Sequence, residues 1–511
     1  MSKPSFNRQL PYITKFFALI FGLMLAWGLV LLLGPTVEAQ GDNSGWSQPV
    51  ILFQKEGSIS NPTLAADQTG AAHLFWSFES GVLGTKDGET QAKSAEGEAA
   101  PLEDSQGQLL YYARWANGEW TSPVDIVAAP RAAMPSAVID RSGEDHLVWL
   151  GPHGLTYGRA PASKAGSAKM WSRQMAIDLM QASAQITTDG TGQLHVAYPG
   201  HDTTGVYYTS SRDGGVTWSS PRNVAEPSRK SKQAGGENTA ADYVHLAVGP
   251  DGTIHVVWTE FFYPRSWPPA GVFYSRSVDG GRSWSTPFEI AGVNHLQPNI
   301  VVVGTNTVHV VWNGAVIIGG RYHRWSNDGG QTWSETQAIV PPKKGGMEGA
   351  PQLAVDSAGT LHVLTTYSGC AWYTFFQNQK WAEPTCIAGE QARASRYIEE
   401  PALTITGGNR LIAVFWDDRK RLWYTTKETD APVISPNPFL TAVPTATPEP
   451  LVTPTPIPTR TPAPRSSSSQ DSEATLRLQV SPGPPLAAGL IPTAFLVLGL
   501  VAVTVIRQRW R

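Results

Sequence analysis

The sequence predicts an all-β fold, a seven-bladed β-propeller of four-stranded antiparallel blades in which an N-terminal strand closes the last blade. Seven tryptophans predict it: Trp46, Trp120, Trp171, Trp218, Trp284, Trp333 and Trp381 each precede a small or hydroxyl residue and then a short β-type run. Their spacings of 74, 51, 47, 66, 49 and 48 residues bracket the length of a four-stranded blade. The ends of the repeat region are also complementary. The run from Trp46 to Phe53 has no three strands before it, and residues 401–426 carry three strands with no Trp run after them. Pairing the two seals the ring and removes two exposed sheet edges, which otherwise invite association.

Within each repeat, the second strand has a shared signature: His73-Leu74-Phe75-Trp76, His146-Leu147-Val148-Trp149, His195 to Tyr198, His255-Val256-Val257-Trp258, His309-Val310-Val311-Trp312, His362 to Thr365, and finally Ala413-Val414-Phe415-Trp416. Alternating apolar and aromatic residues over so few positions mean strand rather than helix. A third strand follows, marked by pairs such as Tyr111-Tyr112, Tyr207-Tyr208, Phe273-Tyr274 and Trp423-Tyr424. A turn, the repeated Trp and a fourth strand complete the blade, and Pro49, Pro123, Pro221, Pro287 and Pro384 stand three residues after their tryptophans.

The chain divides into an export signal or signal anchor (1–40), the propeller (46–427), a Pro/Thr/Ser-rich disordered stalk (431–484), a transmembrane helix (486–506) and a basic cytoplasmic tail (507–511). Lys3, Arg8 and Lys15 precede a 19-residue apolar run from Phe16 to Gly34 and a small-residue site at Val37-Glu38-Ala39. Leu486 to Ile506 is 21 residues without a charge, and Arg507, Arg509 and Arg511 follow it. Eleven prolines between Pro432 and Pro464 favour an extended polyproline II stalk over a packed core. These segments place the propeller outside the cytoplasm, held to the cell membrane by one C-terminal span.

A net charge of −3 with no basic run in the repeats argues against a nucleic-acid partner. The only cysteines, Cys370 and Cys386, flank a hairpin centred on Asn378, where an exported protein favours a disulfide. Six histidines recur once per blade, but equivalent positions related by rotation about the ring are too far apart to share a metal ion, so no metal and no cofactor is expected. Glu79 to Gln108 holds seven acids against two lysines, and this stretch and Glu226 to Asp242 read as polar insertions.

Three turns ahead of the repeated Trp share a tighter pattern: Ser211, Asp213, Gly215 and Trp218; Ser277, Asp279, Gly281 and Trp284; Ser326, Asp328, Gly330 and Trp333. Asp in a turn accepts nearby backbone N–H groups, Gly tolerates positive φ, and Trp packs the turn onto the sheet, so these residues are devices of the fold. The pattern resembles the Asp-box, or BNR repeat, of the sialidase-like propellers, over roughly Trp46 to Thr426. The resemblance implies a six-bladed retaining glycosidase with three arginines on the sugar carboxylate, a Tyr nucleophile activated by a Glu, and an Asp acid/base. The aromatic-Arg-Ile-Pro motif of that family is not found: Pro130-Arg131-Ala132-Ala133-Met134-Pro135 has different spacing, and Ser60-Asn61-Pro62 has no Arg.

In a propeller, the connections from strand two to three and from blade to blade share one face, opposite the Asp-box turns. That face is expected to carry an aromatic loop from Thr259 to Pro269, including Tyr263, Arg265 and Trp267, together with Arg131, Arg321, Arg396, Tyr397, Glu399, Asp417 and Arg419. The favoured function is binding of a glycan or cell-surface protein ligand through this face. The alternative is an exo-α-sialidase or related surface glycoside hydrolase using Arg131, Arg321 and Arg396.

Overall fold

The computed structural model describes residues 45–80, 107–179, 183–200, 205–228, 238–263, 266–341 and 349–437. The export segment, the stalk beyond Asn437, the C-terminal apolar run and the basic tail lie outside the described residues. Among the described residues no helix is long and apolar enough to cross a membrane.

Seven antiparallel sheets follow one another along the chain: residues 57–129, 133–178, 185–225, 238–291, 295–340, 352–386 and 398–428, here blades 1 to 7. Their first strands stand side by side round a central axis, each touching the next and the last touching the first. Val50–Gln54 forms the outer strand of blade 7, with Val50 opposite Tyr424 and Gln54 opposite Arg421, and Trp46 bridges Lys427. The expected closure is therefore present. In blades 1 and 6 the outer strand is split, into Glu119–Trp120 and Val124–Ala129, and into Lys380–Trp381 and Thr385–Cys386. Pro123 and Pro384 lie in the gaps, where a residue without N–H cannot continue the ladder.

The repeated Trp-hydroxyl pair joins neighbouring elements in two ways. Each of the seven tryptophans packs edge-on against a ring of the preceding blade: Trp46 on Tyr373, Trp120 on Tyr424, Trp171 on Phe75, Trp218 on Tyr157, Trp284 on Tyr208, Trp333 on Tyr274 and Trp381 on His323. Centroids lie 4.9 to 6.0 Å apart. The hydroxyl that follows accepts a third-strand N–H at 2.9 to 3.1 Å in six blades, from Thr426 to Ser47 in blade 7 and from Arg114 to Thr121 in blade 1 among them. One residue pair thus fixes the outer strand to its own sheet and that sheet to the one before.

The recurrent histidine is buried and bonds across its blade. Nδ1 of His73, His146, His195, His255 and His362 lies 2.7 to 2.9 Å from the hydroxyl of Tyr112, Tyr157, Tyr208, Tyr274 and Tyr373. In blade 5 a second histidine replaces the tyrosine, with His309 Nδ1 3.0 Å from His323 Nε2. The three Asp boxes lie over these tyrosines and share one geometry. Ser211 donates to Asp213 at 2.8 Å and accepts from Gly215 N, while Asp213 accepts from the N–H and hydroxyl of Thr217; residues 277–283 and 326–332 repeat the pattern. Hydrogen bonds from the Ser283 hydroxyl and N–H hold Asp279 well below the ordinary carboxylate range.

These histidines differ in charge. Desolvation depresses His255 and His309 to about 4, so they are neutral near neutrality. Burial also opposes the charge of His73, but Asp145 at 3.1 Å and Asp67 at 3.2 Å flank its ring and raise it to about 9. Because unfolded histidine titrates near 6.5, the unfolded chain binds more protons than the folded one between pH 6.5 and 4 at His255 and His309. Stability therefore falls across that window, by on the order of 3 kcal/mol at most per site. The contribution of His73 is fully present below pH 6.5 and is lost as the pH rises through 9. Calorimetry over this pH range is expected to show a melting temperature that declines on both sides of neutrality, with a shallower acid limb in His255→Gln.

Cys370, at the start of the third strand of blade 6, and Cys386 form a disulfide with a Cα–Cα distance of 5.9 Å. After the last strand the chain crosses the turns between first and second strands. Ile434 N bonds Gly407 O in blade 7 at 2.8 Å, Ser357 of blade 6 donates to Pro432 O, and Asn437 N bonds Gln68 O in blade 1 at 2.9 Å. The described chain thus leaves the propeller on the Asp-box face. Asn238 to Asp242, expected to belong to a polar insertion, instead pairs with Thr259 to Tyr263 as strand.

Candidate functional site

The first strands of five blades each contain a bulge near the start, and at each bulge a residue other than Gly has positive φ: Asn61, Met134, Tyr243, Gln297 and Glu400, at 43 to 53°. Pro follows in four of them, Pro62, Pro135, Pro298 and Pro401. Pro has no N–H to add to a ladder, and the extra residue of a bulge turns a side chain that a regular strand would have aimed elsewhere. Non-Gly residues held at positive φ cost free energy and persist only where surrounding contacts enforce them. At Asn61, Gln297 and Glu400 the enforcing contacts come from adjacent blades. Glu400 accepts from Asn61 N at 2.6 Å, Gln297 N bonds Thr259 Oγ1 at 2.9 Å, and Asn313 Nδ2 bridges Gln297 Oε1 and Gly349 O at 2.8 Å each.

The bulges surround an axial cavity of about 880 Å³ on the face opposite the Asp boxes. Its polar lining is mostly uncharged: Asn61, Gln185, Gln297 and Gln352, with Tyr243 and Phe261 supplying rings. Arg131, Asp242, His245 and Glu400 are its titratable side chains besides Tyr243. Desolvation drives His245 down to about 4 despite a hydrogen bond with Asn299, leaving it neutral. Burial raises Glu400 above the usual range, although the N–H groups of Asn61 and Trp416, the latter at 3.1 Å, favour its ionised form. Amides donate and accept at once, so this lining presents both kinds of partner to a polyhydroxylated molecule.

The expected site residues separate on this geometry. Arg131 lines the cavity, and is the arginine that does so among the described residues. Arg321 is corrected: it is wholly buried, with Nε on Thr365 Oγ1 at 2.7 Å, a terminal nitrogen on Thr366 O at 2.7 Å, and its plane over Tyr367. It joins blade 5 to blade 6. Arg321→Met is expected to lower stability by on the order of 3 kcal/mol in denaturant unfolding, while leaving ligand affinity unchanged.

Asp417 is likewise a buried structural acid, accepting from Ser395 Oγ, Arg421 Nε and Trp423 Nε1 at 2.9 to 3.0 Å. Arg396 and Tyr397 are exposed and stacked on each other at 5.1 Å, Arg419 binds Ala394 O at 2.9 Å, and Glu399 is half-buried with burial raising its carboxyl; none of the four lines the cavity. The expected loop from Thr259 to Pro269 is a prolonged hairpin: Thr259 opposes Val272 and Phe261 opposes Pro269. The run of β-branched and aromatic residues there favours strand to its tip. Trp267 is exposed and meets Phe261 edge-on at 6.0 Å. Arg265 and the side chain of Tyr263 lie outside the described residues.

Sequence reasoning missed Asn61, Tyr243, His245 and Gln297 as cavity residues. The signal available was the x-Pro step at the head of most first strands, including Ala350-Pro351 in blade 6.

The BNR repeat-like domain family matches residues 172–369, which span the Asp boxes. Residues 172–369 are thus a BNR repeat-like stretch within the propeller. Among solved structures, this propeller is similar to a lectin from Burkholderia pseudomallei at 12% identity and TM-score 0.51, with 75% of this chain and 99% of that one covered. An unknown-function protein from Dyadobacter fermentans matches at 12% identity, 76% and 100% coverage and TM-score 0.46. A polysaccharide lyase acting on ulvan matches at 13% identity, 75% and 96% coverage and TM-score 0.48. At such identities the likeness is one of fold. No curated protein sequence matches the chain.

Proposed function

We propose that the propeller binds a saccharide in its axial cavity and does not cleave sialosides. The observation that carries this reading is the lining: four amide side chains and the Tyr243 ring converge on 880 Å³, with one guanidinium among them. Amides match vicinal hydroxyls, and a ring face stacks on the C–H face of a sugar. A carboxylated sugar held by three arginines would need Arg321 and Arg396 beside Arg131, and Arg321 is engaged between blades. Neutral or weakly charged saccharides fit better. The lectin named above shares the fold.

In this reading the propeller stands outside the cytoplasmic membrane on its Pro-rich stalk. The apolar run 486–506 with its trailing arginines supports the anchor. The last described residues, Ile434 to Asn437, lie on the Asp-box face.

A glycan array probed with the purified full chain tests the proposal. Binding to defined saccharides is expected, with Tyr243→Ala and Arg131→Ala each weakening it about tenfold or more, since loss of one good contact is worth about 1.4 kcal/mol. A fluorogenic sialoside is expected to remain uncleaved. Sialoside turnover that disappears in Arg131→Ala would replace binding by hydrolysis as the function.

A further inference from the structure

The amide side chains that line the axial cavity are each held by a protein partner, and the partner decides which end of the amide is left to the cavity. At Gln297 a backbone carbonyl settles the matter. Asn313 donates to Gly349 O at 2.8 Å, and because a carbonyl only accepts, the atom there is Nδ2; the Gln297 atom that Nδ2 also meets at 2.8 Å is therefore the oxygen. Nε2 is the end that Gln297 keeps for the cavity. Gln185 is turned the same way: Ser136 Oγ accepts the Ile186 N–H at 3.1 Å and donates its own proton to Gln185 Oε1 at 3.2 Å. Gln352 is turned the other way, with Nε2 on Ala350 O at 3.2 Å and Oε1 left over. Asn61 follows Gln352, its Nδ2 standing 3.5 Å from Glu400 Oε1.

These orientations divide the cavity by blade. Gln185 in blade 3 and Gln297 in blade 5 hold out donors, whereas Gln352 in blade 6 and Asn61 in blade 1 hold out acceptors, with the Glu400 carboxylate of blade 7 between them. Asp242 of blade 4 lies on the donor side but already accepts the Tyr243 N–H at 2.8 Å. A freely turning amide serves a hydroxyl in either sense; these serve one. Turning Gln297 sets nitrogen against nitrogen at Asn313, and turning Gln352 sets oxygen against oxygen at Ala350. Asn313 itself is wholly buried, and its Nδ2 is aimed at Gln297 and Gly349 although this leaves Oδ1 unpaired. A buried polar atom left unpaired calls for a reason, and the fixed orientation of Gln297 supplies one.

We infer that the cavity reads the hydrogen-bond sense of its sugar: oxygens of the ligand accept from Gln185 and Gln297, free hydroxyls donate to Gln352 and Asn61, and Asn313 is the residue that positions Gln297. The ligand class is then a neutral saccharide with unsubstituted hydroxyls toward blades 6, 7 and 1, where a carboxylate or a sulfate ester sets acceptor against acceptor. This rests on the saccharide-binding reading of the same cavity.

Titration of the purified full chain with methyl glycosides of glucose, galactose, mannose and rhamnose, and then with the monodeoxy and monodeoxyfluoro derivatives of the tightest binder, tests it. Fluorine accepts a hydrogen bond weakly and donates none, whereas hydrogen does neither. The expected map has two kinds of hydroxyl position. At those facing Gln185 and Gln297 the fluoro derivative binds about fivefold more tightly than the deoxy one, the worth of one net hydrogen bond, and at those facing Gln352 and Asn61 the two fall equally. Gln297→Glu turns a carboxylate oxygen to the cavity, and Asn313→Asp draws the Gln297 nitrogen away from it, so both are expected to remove the fluoro preference at one and the same position. A purely structural role for Asn313 would weaken all derivatives alike. Should Asn313→Asp fail to fold, Gln297→Glu and its counterpart Gln185→Glu, which leave the buried anchors in place, decide. A map with no position that favours fluorine, or a preference that survives in either folded variant at Gln297 or Asn313, overturns the inference and leaves saccharide binding standing. Failure of every glycoside overturns the inference and the saccharide reading together.

Discussion

Deleting residues 45–54 is expected to abolish cooperative folding of the propeller. The deleted segment is the outer strand of blade 7, and without it the strand Arg421–Glu428 becomes an open edge facing solvent. Two buried rings leave with it. Trp46 packs on Tyr373 of blade 6, and Phe53 packs on Trp76, Phe78 and Tyr111 of blade 1. The segment therefore ties blade 7 to both neighbours, and its loss breaks the ring where the propeller's first and last strands pair. Trp46→Ala and Phe53→Ala test the halves of this claim separately. Each is expected to cost about 3–5 kcal/mol, as for other buried aromatic truncations, which is a large fraction of a typical stability of about 5–15 kcal/mol. They belong to different hydrophobic clusters, so their costs should add in denaturant titrations. A deletion variant that remained soluble and unfolded at the same midpoint as the intact chain would show that the ring does not depend on this closure.

Gly330→Ala is expected to destabilise far more than Gly329→Ala, although the two glycines are adjacent in one Asp box and both have positive φ, +82° and +70°. The left-handed conformation alone costs a side chain about 1–2 kcal/mol, and Gly329→Ala should show that cost, since its nearest neighbour is a terminal Arg276 nitrogen at 3.5 Å. At Gly330 a Cβ would stand 1.9 Å from the Tyr274 hydroxyl. That hydroxyl cannot swing aside cheaply: Tyr274 is buried, bonds His255 at 2.7 Å and carries Trp333 against its ring. Overpacking adds about 1–3 kcal/mol. Chemical denaturation of the two variants side by side decides it, and equal losses would mean that the box does not bear on the tyrosine beneath it. Gly215 and Gly281 approach Tyr157 and Tyr208 in the same way, so the motif is a contact between blades as much as a turn.

Much of this architecture was legible before any coordinates. The tryptophan spacing, the hydroxyl after each tryptophan and the unpaired strand at each end are local signals that repeat, and repetition makes a weak local preference additive. The recurrent histidine could be assigned to the fold because ring geometry separates equivalent positions. Candidate site residues fared differently. Arg321 and Asp417 sit at strand ends on the expected face, yet both turn inward, and nothing in the adjoining residues says that Thr365 and Thr366 will stand beside one or Ser395 and Trp423 beside the other. A charged residue near a strand end looks the same in sequence whether it faces a cavity or a neighbouring blade.

By itself, then, the sequence determined the blade count, the all-β class, the Asp-box turns and the way the ring closes, because each depends on residues close in the chain or on one pairing of its ends. Tertiary structure alone decided which side chains reach the axis. That choice is made by bulges such as those at Asn61 and Glu400, whose positive φ is held by a contact between blades far apart in sequence. A strand's alternation is reset by each inserted residue, so the face a side chain shows is fixed only once its neighbours are in place.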